Sequence, residues 1–453
     1  MKMLIRIAVL SSIVGLVSVA DANGQNPVIR DQYTADPTAR VFNGKVYLYP
    51  SHDILAPEGK GLRPDWFCME DYHVFSSSDL VNWEDHGVIV SQYSVPWVDS
   101  NTYSMWAPDC VERDGKYYFY FPANRKPVEG ANPRRGGFGI GVAIADAPEG
   151  PYVPQENPIE GIFGIDPSVL IDKDGQAYIY YSMGQIFVAK LKDNMVELAS
   201  QPVAIENLPD KGLKEGPFVF ERNGLYYLTF PHVENVTERL EYAIGESPEG
   251  PFRMAGVIMD ESPTGCWTNH HSIMEYEGQW YLFYHHNDYS PNFDKNRSTR
   301  IDSLFFNPDG TIQKVVPTLR GVGVSSAYAQ IEIDRYSAIS GSGAEIAYHD
   351  TTNYFKGWKT ILNEPGAWIR YNKVGFGEIA PKSVKLNARS KGASVVELRE
   401  GSPNGTLIAK VKVAASSDWN LADAKAKKII GTKDLVVVFK KGSEVEIDWV
   451  QFE

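Results

Sequence analysis

Cysteine is nearly absent from this chain: Cys68, Cys110 and Cys266 are the whole supply in 453 residues. An odd count without zinc-type spacing allows at most one disulfide and excludes a cysteine-based metal site, so we read the three as buried or incidental. Basic residues are also short, 44 against 57 acidic, and the formal charge of −13 would repel a phosphate backbone. Nucleic acid is therefore excluded as a partner, whereas a neutral polymer such as a polysaccharide is compatible. Long apolar runs are missing apart from Ile7 to Ala20. That run follows Lys2 and Arg6, precedes the small-residue site Ala20-Asp21-Ala22, and is too short to span a bilayer. Residues 1–22 read as an export signal, so a periplasmic or secreted protein without membrane insertion is expected. The whole chain is 43% hydrophobic and 12% aromatic, enough for at least one large core and two domains.

The chain does have repetition. DPTARVFNGKVYLYP, APDCVERDGKYYFYF, DPSVLIDKDGQAYIYY, EGPFVFERNGLYYLTF and HHSIMEYEGQWYLFYH share one plan: a short apolar strand, a turn glycine, and an aromatic strand. The glycines are Gly44, Gly115, Gly175, Gly224 and Gly278. Asn-Gly, Asp-Gly and Glu-Gly between apolar runs are hairpin signals, and a repeat of roughly 50 residues points to propeller blades. The expected fold is all-β, a five-bladed β-propeller whose inner strands converge on a channel. Asp36, Asp109, Asp166, Glu215 and His270 stand at matching places where each first strand begins. Asp-Pro and Gly-Pro are ordinary turn formers. A ring of like charges is costly to desolvate, however, and that favours function over a turn-forming role.

These residues, in order, resemble glycoside hydrolase family 43 over roughly residues 26–320, with support from SSSDLVNWEDHG, SMWAPDC, APEGPY and SPEGPF. The resemblance implies an inverting glycosidase: Asp36 as general base, Glu215 as general acid, and Asp166 holding that acid and adjusting its pKa. Inversion needs the two carboxyl groups about 6.5–9.5 Å apart, which residues on different blades can meet. It further implies Trp106 near the sugar, Arg297 on sugar hydroxyls with Arg300 as a competitor, and His270 on the axis as a substrate or metal contact, often calcium. Asp109 is expected to bond backbone within its blade, and His271 to point away from His270. Trp66, Trp97 and Trp267 are further stacking candidates; Trp83 is assigned to packing.

Composition changes after Gly321 to Ser326, and SVKLNARS, LIAKVKVA, DLVVVFKK and EIDWVQF alternate as strands of a β-sandwich. IEIDRYSAISG, GAWIRYNKVGFG, SDWN and VEIDWVQF resemble carbohydrate-binding module family 6, a jelly-roll-like sandwich without catalytic residues. That resemblance implies a sugar platform at Trp419 with Tyr354 or Trp358, and a structural calcium at Asp334 and Asp448. Glu446 departs from the family's usual asparagine.

The expected organisation is an export signal over 1–22, a propeller over 23–322 and a sandwich over 327–453. The expected function is an inverting glycosidase releasing L-arabinofuranose from plant cell-wall polysaccharide such as arabinoxylan. It would act as a monomer, with no cofactor required for chemistry. The segments Pro50 to Phe67 and Tyr93 to Trp106 are expected to wall one side of the channel and favour exo-action. A β-xylosidase or endo-arabinanase of the same fold is the alternative, and a sugar-binding propeller without turnover the rival from another class.

Overall fold

The computed structural model describes residues 25–127 and 137–453; the expected export signal lies outside them. Among the described residues there is no α-helix, and the one 3₁₀ turn is Tyr354–Lys356. Among the described residues no helix is long and apolar enough to cross a membrane.

Five antiparallel sheets follow one another along the first two thirds of the chain. The first contains β1 (Ala35–Phe42), β2 (Lys45–Ser51), β3 (Asp71–Ser77) and β4 (Glu84–Ser91). The second contains β5 (Asp109–Arg113), β6 (Lys116–Asn124), β7 (Phe138–Ala145) and β8 (Val153–Pro154). β9 (Ile165–Ile171), β10 (Ala177–Ser182), β11 (Ile186–Lys190) and β12 (Val203–Ala204) form the third. β13 (Phe218–Arg222), β14 (Leu225–Val233), β15 (Glu238–Gly245) and β16 (Phe252–Met259) form the fourth. The fifth has β17 (His271–Tyr276), β18 (Gln279–His286) and β19 (Ser298–Leu304).

Each of the five repeat glycines lies in the turn joining the first two strands of its sheet. Asn43 and Gly44 illustrate why: both have positive φ, 52° and 77°, the left-handed pair a two-residue hairpin turn needs. The aromatic second strands are buried on both faces, β2 at every position after Lys45, because every sheet packs against two neighbours. Five apolar clusters fill the gaps in cyclic order. Tyr49 and Tyr72 meet Phe119 and Phe121; Tyr120 and Ile140 meet Val169 and Ile179; Tyr178 and Tyr180 meet Leu228 and Phe230. Tyr227 and Leu240 then meet Leu282 and Tyr284, and Phe283 and Ile301 return to Val46 and Leu48.

The ring also closes at its centre, where β1 contacts β5, β5 contacts β9, β9 contacts β13, β13 contacts β17, and β17 contacts β1. Side chains stitch these strands. Arg40 of β1 makes a bidentate ion pair with buried Asp109 of β5, whose second oxygen accepts the Val169 N–H of β9 at 2.6 Å. Ser272 of β17 donates to the Pro37 carbonyl at 2.7 Å and accepts the Ala39 N–H. At the rim the segment before β1 lies along β19, with Val28 N–H on the Thr299 carbonyl and Thr34 N–H on the Arg297 carbonyl. The two ends of the ring are thereby tied together.

The remaining strands form two six-stranded sheets around one core. Leu386, Ile447 and Val450 from one sheet pack with Tyr371, Leu398 and Val437 from the other. Ser383–Ser390 shows the alternation that produces this, every second side chain being buried. Polar and aromatic contacts join this unit to the ring: Arg30 pairs with Glu332 at 3.5 Å, Arg335 donates to the Tyr289 hydroxyl, and Trp358 stacks on Tyr289.

Candidate active site

A pocket of about 620 Å³, its open mouth included, is lined by Asp36, Asp166, Glu215, Glu238, His270 and Arg297. Trp66, Phe67, Trp106 and Trp267 contribute apolar wall. The volume is that of a small-ligand cleft, and a few polar groups converging within apolar walls is the usual character of one. Four carboxyl groups without a matching set of cations is the unusual feature.

The fold delivers three of these groups by one repeated device. Asp36 in β1, Asp166 in β9 and Gly216 just before β13 each precede a proline, and each has a left-handed backbone, with φ 46°, 56° and 54°. A proline disfavours α-type conformations in the residue before it, and non-glycine residues seldom take positive φ, so both aspartates are held in costly geometry. Strain of this kind persists where surrounding structure over-determines it, and it collects at functional sites. At the third repeat position glycine takes the left-handed φ, and the acid stands one residue earlier, as Glu215.

Asp36 and Asp166 share a second feature. Ser51, at the end of β2, donates to Asp36 Oδ2 at 2.7 Å, and Ser182, at the end of β10, donates to Asp166 Oδ2 at 2.9 Å. Beyond that their surroundings differ. Arg297 Nη1 and Nη2 donate to the two oxygens of Asp36 at 2.7 and 3.1 Å, while Nε and Nη2 grip Asp53 at 2.9 Å. The Asp36 N–H donates to His285 Nδ1 at 3.0 Å. Burial alone would raise the pKa of Asp36, but the Arg297 guanidinium overcomes it and holds the carboxyl at about 2. Asp166 has no such cation and accepts the Gly216 N–H at 3.0 Å. Burial pushes it up to about 7, with His270 pulling downward and Glu215 adding to the rise.

Glu215 is raised well above the usual carboxylate range, first by burial and then by Glu238, to which its carboxyl is hydrogen-bonded. Glu238, the first residue of β15, is pushed up to about 7 by burial, and it accepts the Asn269 N–H at 2.7 Å. The site therefore holds one firmly ionised carboxylate and, around Glu215, carboxyl groups that keep protons near neutral pH. That is the division of labour general acid–base chemistry requires.

Several sequence expectations change in detail. Asp166 reaches Glu215 through the Gly216 N–H and through repulsion between the two carboxyls, and Glu238 is a further, hydrogen-bonded neighbour on the Glu215 carboxyl. Arg297 lines the pocket, but its five N–H donors are all taken by Asp36, Asp53 and the Thr268 hydroxyl. It therefore positions Asp36, and a bond to a sugar hydroxyl would require one of these to be given up. Arg300 is outside the pocket, paired with Asp288. Asp109 bonds backbone, as at Cys110 N–H, but it also crosses between sheets to Arg40 and Val169. His271 turns away, its Nε2 2.6 Å from the Thr229 hydroxyl. Trp106, Trp66 and Trp267 reach the pocket; Trp97 instead stacks on Phe121, and Trp83 packs edge-on against Phe283.

Glu238 and Asp53 were missed by sequence reasoning. Each stands at the edge of a strand, in TERLEYAIG and YPSHDIL, and the one available signal was an acid bordering a strand-forming run.

In the second unit the predicted sugar platform is not assembled. Trp358 is covered by Tyr289 and Tyr348, with the Arg335 guanidinium over its ring, so its faces are occupied by protein. Tyr354 packs on Tyr348 and accepts a hydrogen bond from Asn292 of the ring. Both belong to the contact between units. Trp419 stands apart beside His349 and under the Arg389 guanidinium. Glu446 accepts from Lys359 and Arg389, and these cations outweigh burial and lower its pKa.

Calcium prefers six to eight oxygen ligands. Asp448 is engaged by His349 and Asn387, and Asp334, though one of its buried oxygens lacks a protein partner, faces Arg335. His270 brings one imidazole to the pocket. Neither place has the oxygen set of a calcium cage formed by protein.

Residues 24–312 match the family model described as glycosyl hydrolases family 43, and residues 336–453 match carbohydrate binding module (family 6). A xylosidase/arabinosidase 43A of Humicola insolens is 38% identical over 335 residues, 63% of this chain and 98% of that protein. An arabinoxylan arabinofuranohydrolase of Paenibacillus polymyxa is 26% identical across 98% of this chain and 78% of its own length. Among solved structures, a β-xylosidase/α-arabinofuranosidase from a compost microbial metagenome, complexed with xylotriose, superposes with a TM-score of 0.58 at 34% identity. It covers 66% of this chain and 98% of that one.

Proposed function

Because this chain belongs to glycosyl hydrolases family 43 and ends in a family 6 carbohydrate-binding module, we propose that it is an inverting glycosidase releasing L-arabinofuranose from arabinoxylan or related plant cell-wall polysaccharide. The observation that carries the reading is the pairing, in one pocket, of Asp36 ionised by Arg297 with Glu215 kept protonated by burial and Glu238. Asp36 takes a proton from water as the water oxygen bonds to the anomeric carbon. The glycosidic bond breaks on the opposite face, its electron pair stays on the leaving oxygen, and Glu215 protonates that oxygen. Asp166 fixes the backbone beside Glu215, and Glu238 holds the acid's proton in place.

The five sheets are, in this proposal, the blades of a five-bladed propeller over residues 23–322, with a jelly-roll-like sandwich over 327–453. Apolar walls from Trp66, Phe67 and Trp106 favour a pocket that accepts a chain end, hence exo-action on an exported, monomeric enzyme. β-Xylosidase action is the second reading, favoured by the double name of the Humicola insolens relative and by the xylotriose in the metagenomic enzyme.

Aryl α-L-arabinofuranoside and aryl β-D-xyloside, offered separately, distinguish the two. Arabinoside cleavage that Asp36→Asn abolishes is the expected result; cleavage of the xyloside alone reverses the order of the readings. Silence on both substrates would overturn the exo-glycosidase proposal. Retention of anomeric configuration would overturn the inverting mechanism.

A further inference from the structure

Outside the pocket, one set of nitrogen and oxygen donors is not used by the chemistry above. His52, just beyond β2, and Asp71 and His73 of β3 each bring a ligand atom to within 4.8 Å of the other two. Asp71 and His73 are two apart on a strand and so share a face. The β3–β4 register shifts on both sides of His73, an irregularity of the kind that re-aims a side chain. His52 Nδ1 lies 2.7 Å from Asp71 Oδ1, and the two imidazoles meet edge to face at 5.2 Å. On the far side of His73, Asp85 of β4 places its oxygens 3.0 and 3.1 Å from Nδ1. The side chains of His52, Asp71 and His73 are 21%, 15% and 17% exposed, reachable by a solute yet held by their neighbours.

We propose that His52, Asp71 and His73 form a binding site for a divalent transition-metal ion of the zinc type, with Asp85 orienting His73. Two imidazoles and one carboxylate suit a borderline cation such as Zn²⁺ and not calcium, whose sites are built from oxygen. A metal-bound histidine ordinarily gives its other ring N–H to a carboxylate, and Asp85 on Nδ1 leaves Nε2 of His73 with the lone pair. Bonds of about 2.0–2.1 Å in a tetrahedron put ligand atoms about 3.3 Å apart, so the widest pair closes by about 1.5 Å at most. Water fills the fourth position. Two unrelated histidine–carboxylate pairs would be the simpler explanation, but neither would require both imidazoles to converge on the one carboxylate.

The site adjoins the residues that hold Asp36 and Arg297. His52 is flanked by Ser51, which donates to Asp36, and by Asp53, which grips Arg297. An ion on His52 fastens the end of β2 to β3, and with it the segment that holds Asp36.

The test uses untagged full-length protein stripped with a chelator. Zn²⁺ is titrated in competition with a chromophoric chelator, and Co²⁺ serves as a spectroscopic probe. One equivalent per chain, a visible cobalt band of tetrahedral type and a Zn²⁺-dependent rise in melting temperature are expected. His52→Ala and His73→Ala should lose the equivalent, and Asp85→Asn should weaken it by about 10–100-fold. His270→Ala should keep it. Circular dichroism checks that the variants fold, and His52→Gln replaces His52→Ala if that one does not. Zn²⁺ uptake by the parent no greater than by the His52/His73 double variant overturns the proposal, as does loss of the equivalent in His270→Ala alone.

Discussion

The first and third sheets carry the same device and put it to opposite use. Asp36 and Asp166 both precede a proline, both have left-handed φ, and both accept a hydrogen bond from a serine at the end of the next strand. One is held at about 2 and the other is pushed to about 7. Backbone and serine are therefore not what decides the charge. The difference comes from the far side of each carboxyl: the Arg297 guanidinium, itself anchored by Asp53, meets Asp36, whereas a peptide N–H and neighbouring acids meet Asp166. A repeated fold supplies equivalent positions, and a single unrepeated guanidinium keeps one of them ionised.

The sharpest way to break this comparison is to neutralise each acid in turn. Asp36→Asn should cut kcat/KM by at least about 10²–10⁴-fold, measured on an aryl glycoside. Asp166→Asn should cost less, about 10–100-fold, because an amide oxygen can still accept the Gly216 N–H. Unequal losses in that order support one base and one positioning residue; equal losses would mean that the two aspartates act as a pair.

Replacing the cation tests what separates them. Arg297→Lys keeps the charge but loses the bidentate grip on two carboxylates. The acid limb of the kcat/KM profile should move to higher pH as the pKa of Asp36 rises, and the fold should weaken by about 3–5 kcal/mol as buried partners lose their contacts. A profile unchanged from that of the parent would show that Arg297 does not set the ionisation of Asp36.

The same contrast should be legible in stability. The folded pKa of Asp166 is raised, so the stability it contributes is complete below the unfolded value near 3.8 and declines as pH rises towards about 7. Asp166→Asn should therefore melt increasingly above the parent between pH 4 and 7, by up to about 4 kcal/mol, and by a constant margin beyond. Asp36 has a lowered folded pKa, so its stability is present above the unfolded value and lost as pH falls towards about 2. Asp36→Asn should therefore melt below the parent at neutral pH. Thermal melts across pH 4–8 read both signs.

How far the sequence carried follows from the same residues. The hairpins, their glycines, and the acids Asp36, Asp166 and Glu215 were legible because each is written in adjacent letters: a turn pair, an Asp-Pro, a Glu-Gly-Pro. Glu238 and Asp53 were not, since each matters only through a partner on another element, Glu215 in one case and Arg297 in the other. The anchoring of Asp36 by Arg297 was hidden for the same reason. The arginine's place before β19 was found, but its carboxylate partners on the opposite edge of the ring closure lie more than 240 residues away. In the second unit the aromatics were identifiable by type. Whether they faced a sugar or the ring depended on how the two units meet, which no local pattern records.

Glu238→Gln bears on the third sheet's neighbour. Removing the second carboxyl takes a like charge from Glu215 and leaves an amide able to donate to its ionised form, so the pKa of Glu215 should fall. The alkaline limb of kcat/KM should move to lower pH, with the acid limb unmoved. If instead the acid limb moves, Glu238 acts on Asp36 and the assignment of the pair is wrong.

The smallest effect isolates the shared device. Ser51→Ala and Ser182→Ala each remove one buried hydrogen bond to a carboxyl oxygen, and each should cost about 1–3 kcal/mol in a thermal or denaturant melt. Their catalytic consequences should differ. Without Ser51, Asp36 keeps both Arg297 contacts, and its pKa rises only slightly from about 2, so the pH profile near neutrality should be unchanged. Without Ser182, Asp166 keeps the Gly216 N–H but has no guanidinium, its proton is held still more firmly, and the backbone beside Glu215 loosens. A fall in kcat for Ser182→Ala at a pH where Ser51→Ala is silent would show that the serines, alike in structure, inherit their importance from what stands across the carboxyl.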